Sequence, residues 1–112
     1  MKLSFMVLLL AAASVASFAQ TPMPRMVSVD PQNAKAGDIV VVTGENLEKE
    51  NVAKVYLTDG SHDTEVEVTE QSGTTLKFKI PANVSGRLAL MVLTGGKDAK
   101  LIEQPVKITV GQ

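Results

Sequence analysis

The chain predicts an all-β, antiparallel sandwich of about seven strands, and three observations carry that expectation. Apolar and polar residues alternate with period two through most of the sequence after residue 25. Clusters of Gly, Pro, Asn and Asp interrupt that alternation roughly every eight to twelve residues, the spacing of short strands joined by turns. No window of about eleven residues carries an apolar stripe at helical spacing. Thirteen valines after residue 19 suit a pleated, half-buried surface.

The elements follow in order. Lys2, an apolar run over residues 3–15, and Ser17-Phe18-Ala19 with small residues at −3 and −1 form the pattern of a cleaved secretory leader, residues 1–19. The run is shorter than the roughly 20 residues a membrane span needs. The expectation is therefore a domain over residues 20–112, secreted or periplasmic, with no membrane insertion after cleavage. Residues 20–25, with Thr21-Pro22-Met23-Pro24, read as an extended, helix-averse arm. Residues 26–30 form a first strand stopped by Pro31, and residues 39–43 a valine-rich second ended by Gly44. Residues 45–51 have room for one helical turn. Residues 54–58 form the third strand, and Asp59-Gly60-Ser61-His62-Asp63 a turn. Residues 64–69 return as one strand, with Val66 and Val68 on one face and Glu65 and Glu67 on the other. Gln71-Ser72-Gly73 turns into residues 75–80, where Leu76, Phe78 and Ile80 alternate with Lys77 and Lys79. Residues 81–86 form a loop and residues 87–94 the longest strand. Gly95-Gly96-Lys97-Asp98 turns, and residues 106–110 close the chain, with Pro105 where a strand's first residue needs no ladder donor.

Composition excludes several functions. Lys+Arg 11 against Asp+Glu 12 leaves a net charge of -1, and removing the leader with Lys2 gives 10 against 12, net -2. Neither value supplies the clustered basic excess that nucleic acid or an anionic membrane requires. Cys 0 excludes disulfides, thiolate metal sites and a cysteine nucleophile, and His 1 excludes a histidine cage. A cysteine-free exported domain must rely on its core alone, and fits a bacterial envelope better than an animal extracellular space.

The motif residues are similar to those of a known family. Ser28-Val29-Asp30-Pro31, Ala36-Gly37, Val40-Val41-Val42-Thr43-Gly44-Glu45-Asn46-Leu47, Val55-Tyr56-Leu57, Ile80-Pro81 and Gly86 together resemble the IPT/TIG domain. The resemblance implies an immunoglobulin-like sandwich and a broad interaction role, and assigns no chemistry. Leu47 stands where the family usually has an aromatic, and Thr58-Asp59 where it usually has paired glycines. Physics reads the same positions structurally. Gly37 and Gly44 bracket a strand where the backbone needs positive φ or a close approach. Asn46 can bond nearby backbone, and Leu47 can plug the sandwich edge.

Residues able to carry chemistry are few. Asp59, Ser61 and Asp63 place oxygens at positions one, three and five of a calcium-type loop, but position six is Thr64 rather than glycine, and Glu70 at position twelve falls beyond a strand. Adjacent Ser61 and His62 lack the distant partners that a triad gathers. Glu65, Glu67 and Glu70 alternate outward, where Lys77 and Lys79 of the next strand can stand opposite. Asn83-Val84-Ser85 is a glycosylation sequon, relevant only in a eukaryotic pathway. No cofactor, metal or enzymatic activity is expected.

The departure that points to a partner lies in residues 87–94. With Leu88, Leu90 and Val92 facing inward, Ala89, Met91 and Leu93 turn outward, where a solvated strand would be polar. Tyr56 joins them if the third, sixth and seventh strands share a sheet, as immunoglobulin-like folds arrange them. Tyr56, Ala89, Met91 and Leu93 are thus the candidate protein interface. Cover by the arm, residues 22–26, or by a long loop, residues 97–104 with Leu101 and Ile102, is the competing account. A glycan-binding accessory role is the alternative function, resting on Tyr56 as the single outward ring available for sugar stacking.

Overall fold

The computed structural model describes residues 23–111, so the leader and the start of the arm lie outside the described residues. Within them the chain forms nine strands: β1 (Arg25–Asp30), β2 (Asn33–Lys35), β3 (Ile39–Glu45), β4 (Val52–Thr58), β5 (Asp63–Glu65), β6 (Glu67–Gln71), β7 (Thr75–Lys79), β8 (Gly86–Thr94) and β9 (Leu101–Gly111). They pair into a four-stranded sheet, β1-β3-β7-β6, and a five-stranded sheet, β2-β9-β8-β4-β5. Every pairing is antiparallel except β2 with β9. This is the immunoglobulin-like sandwich the sequence predicts. The third, sixth and seventh strands of the sequence reading, now β4, β8 and β9, do share one sheet.

Period two becomes burial. Val40 and Val42 from β3 and Leu76 and Phe78 from β7 are fully buried and face Val55 and Leu57 of β4, Leu90 and Val92 of β8 and Ile108 of β9 across the sandwich. Leu47 is also fully buried, as the edge plug anticipated for it. A single turn follows it, with the Asn51 and Val52 N–H groups both donating to the Glu48 carbonyl. A Cβ at Gly44 would collide with the Arg25 carbonyl oxygen of neighbouring β1, so close approach explains that glycine. Gly37 lies at φ 91 and Asn46 at φ 55, both in the left-handed region. The Asn46 side chain donates to the Met23 carbonyl at 3.1 Å, tying the arm to this corner.

Four sequence expectations need correction. Residues 64–69 do not form one strand. The chain changes sheets at Val66, whose N–H donates to Val55 O, so β5 pairs with β4 while β6 pairs with β7. Glu65 consequently meets Lys54 at 3.7 Å rather than Lys77 or Lys79, whereas Glu70 does meet Lys77 at 3.4 Å and Glu67 stands opposite Lys79. The longest strand is β9, with 11 residues, not β8, with 9. Pro105 lies inside β9 instead of at its start. The register slips between Ala89 and Met91 there, and at such a bulge a missing N–H breaks no ladder bond. Finally, β2 is a short extra strand. The divided strand and β2 together raise seven strands to nine.

Two side-chain amides, Gln104 buried and Gln71 half-buried, bind elements that backbone pairing leaves apart. The Met26 N–H in the four-stranded sheet donates to Gln104 Oε1 of β9 at 2.7 Å, beneath the sandwich surface. Gln71 Nε2 donates to both Leu47 O and Val52 O at 2.9 Å, clasping the β3–β4 connection.

Candidate functional site

The outer face of the five-stranded sheet carries the predicted stripe. Register places Tyr56 opposite Met91 and Met91 opposite Glu103, while Glu65 stands beyond Tyr56 on β5. The middle row across four strands therefore reads Glu103–Met91–Tyr56–Glu65. The row on one side reads Lys107–Ala89–Thr58–Asp63, and that on the other Leu101–Leu93–Lys54. Tyr56, Met91 and Leu93 are half-buried, and Ala89, at 8% exposure, forms part of the floor. An apolar centre thus lies on the two middle strands with charges on both flanks. β8 produces it because apolar residues occupy both of its faces.

The strands that the described residues form within the segments considered as cover lie elsewhere. Residues 101–104 form the first half of β9, beside β8 in the same sheet, and residues 25–30 run along β3 in the other sheet. Leu101 lies opposite Leu93 and is 54% exposed, so it extends the stripe. Sequence reading missed this contribution because Pro105 marked the residues before it as loop. The signal was present in the outward alternation of Leu101, Glu103 and Pro105.

The turn over residues 59–63 is held by its own groups. Asp59 Oδ1 accepts from the Ser61 and His62 N–H groups at 2.8 and 2.7 Å, and the Gly60 N–H donates to Thr58 Oγ1 at 3.0 Å. Those two backbone donors, His62 first and then Ser61, hold the Asp59 carboxyl below the ordinary aspartate range. The His62 side chain is 85% exposed, with Nδ1 3.6 Å from Asp59 Oδ2. This carboxylate is therefore occupied as a turn acceptor. Among the described residues, no three His, Asp or Glu side chains gather as a metal site, and no helix is long and apolar enough to cross a membrane.

The turn gives a pH prediction with a definite sign. A carboxyl whose folded pKa is depressed contributes stability above its unfolded pKa, and loses it as pH falls through the folded value. Asp59→Asn should therefore lower the Tm relative to wild type near neutral pH, and the gap should close in strong acid. Paired melting curves across pH check this; a gap that stays constant through the acid range would refute it.

Comparison with known proteins follows the same lines. The family model described as the IPT/TIG domain matches residues 24–110. No curated protein matches the sequence. Among solved structures, a structural-genomics protein of unknown function from Bacteroides thetaiotaomicron superposes with a TM-score of 0.68 at 22% identity, over 84% of this chain and 23% of that one. The gamma-CGTase of alkalophilic Bacillus clarkii gives 0.63 at 19% identity, over 82% and 13%. The Bacteroides ovatus SGBP-B of a mixed-linkage glucan utilization locus, solved with a mixed-linkage heptasaccharide, gives 0.51 at 24%, over 76% and 23%. This chain thus spans less than a quarter of the length of each of these proteins, and likeness at such identities concerns the fold.

Proposed function

The chain belongs to the IPT/TIG domain family, and on that footing we propose that it is a non-catalytic, exported interaction module that docks onto a protein of the bacterial envelope or cell surface. The observation that carries the reading is the apolar centre of the outer face, Tyr56, Met91 and Leu93 with Leu101, set among charged neighbours. A strand whose outward positions served only to meet water would be polar there. Four strands at about 4.8 Å spacing, crossed by three rows about 7 Å apart, make the patch roughly 14 Å by 14 Å, on the order of 200 Å², well short of the ~800 Å² per partner typical of stable complexes. The module therefore suits a small, reversible contact. Export rests on the leader pattern over residues 1–19, and the absence of catalysis on a family that supplies architecture together with a turn whose carboxylate is already engaged.

A second reading has one observation in its favour. A solved relative in fold was crystallised with a glucan heptasaccharide, and Tyr56 offers a ring edged by Glu65 and Lys54. Under that reading the same face takes a neutral glycan. Capture from envelope extracts, run beside a glycan array, separates the two. Protein docking predicts enrichment of an envelope protein and a blank array; array signal without protein enrichment would transfer the face to glycan binding, and neither signal would overturn both readings.

A further inference from the structure

Asp59-Gly60 is the single Asp-Gly or Asn-Gly pair in the chain, and it occupies the β4–β5 turn. Such pairs are chemically labile because glycine has no side chain to hinder attack by its own amide nitrogen on the preceding carboxyl. We propose that Asp59-Gly60 is a latent site of spontaneous backbone isomerisation that the folded turn holds shut, so that isoaspartate at position 59 marks molecules whose hairpin has opened.

The chemistry requires only water. The Gly60 amide nitrogen gives up its proton and attacks Asp59 Cγ. An N–Cγ bond forms, a Cγ–O bond breaks, and the carboxyl oxygen leaves as water, giving a five-membered succinimide. Water then opens the ring. Addition at Cγ restores aspartate, whereas addition at the former main-chain carbonyl leaves the chain running through the side-chain carboxyl. The product has the mass of the starting protein.

Both reacting groups are engaged elsewhere in the fold. The Gly60 N–H is committed to Thr58 Oγ1, and Thr58 is itself buried at 6% exposure, so its hydroxyl is fixed on the strand. The Asp59 carboxylate is turned toward the next two amides, Ser61 and His62, which it accepts at 2.8 and 2.7 Å. Turning the carboxyl back onto Gly60 breaks both of those bonds, and freeing the nitrogen breaks a third. The Asp59 N–H also donates to His62 O at 3.3 Å, closing the turn. Reaction therefore waits for local opening, and its rate follows the population of the open hairpin.

The test incubates folded protein and protein in concentrated urea side by side at neutral pH. Isoaspartate in tryptic peptide 55–77 is followed by methyltransferase labelling and fragmentation mass spectrometry. The folded protein should accumulate it at least about tenfold more slowly, since modification is limited to the open fraction. Thr58→Val, which deletes the acceptor, should accelerate the folded rate several-fold, Thr58→Ser should keep it slow, and all three chains should react alike in urea. Equal rates for folded and unfolded wild type overturn the proposal without reference to any variant. So does a folded Thr58→Val protein that reacts no faster than wild type.

Discussion

Met91→Glu is expected to abolish partner capture while leaving the isolated domain folded. The side chain sits at the centre of the outer stripe, between Glu103 on β9 and Tyr56 on β4. A carboxylate there would lose its hydration under a docked partner with no cation facing it, a cost of several kcal/mol that exceeds what a small contact can supply. In the free domain the new charge stays wet, but it stands opposite Glu103, so like-charge repulsion should cost about 1 kcal/mol or less. Met91→Lys sharpens the experiment. It places a charge at the same point but faces Glu103 with an opposite one, so it should lose the partner without loss of stability. Urea unfolding and capture measured on both variants decide the matter. If both stay folded and capture every partner that wild type captures, the interface is elsewhere. If both unfold by several kcal/mol, the stripe is internal to the fold rather than a docking face.

Phe78→Ala is expected to produce the largest loss of stability in the molecule, about 3–5 kcal/mol. Phe78 leads the fully buried side chains by volume and lies on β7, between β3 and β6 in the four-stranded sheet. Removing the ring leaves a cavity beneath β7, a strand held by pairing on both sides, so the site collapses little to fill it. With no disulfide to restrain the unfolded chain, the loss falls on a core of modest size. The Tm should drop by more than about 10 °C, given 4–8 °C per kcal/mol in a domain of this size. Thermal melts and urea midpoints check it, and a shift below about 1 kcal/mol would mean that Phe78 is not the centre of the core.

The alternation of Val40-Val42, Leu76-Phe78-Ile80 and Leu88-Leu90-Val92 determined the sandwich on its own. Period two fixes which face of a strand is apolar before any partner strand is chosen. Local chemistry likewise determined the turns, because Asp59-Gly60 and Gly95-Gly96 supply the acceptors and the positive φ that reversals need. The same periodicity exposed Met91 and Leu93 as outward apolar residues. Tertiary pairing alone decided the rest. Unbroken alternation through residues 64–69 could not reveal the change of sheet at Val66, because it depends on whether β4 or β7 offers the next free edge. Asn33–Lys35 has no strand-forming composition and becomes β2 only where the end of β9 runs beside it. Pro105 halted the reading of the last strand, and the bulge opposite β8 that accommodates it arises from a register between distant segments. The candidate site divides in the same way: each stripe residue's side of its own strand was local, but bringing Tyr56, Met91 and Glu103 into one row required three strands to be placed edge to edge, and cross-strand register is set by contacts the linear chain does not contain.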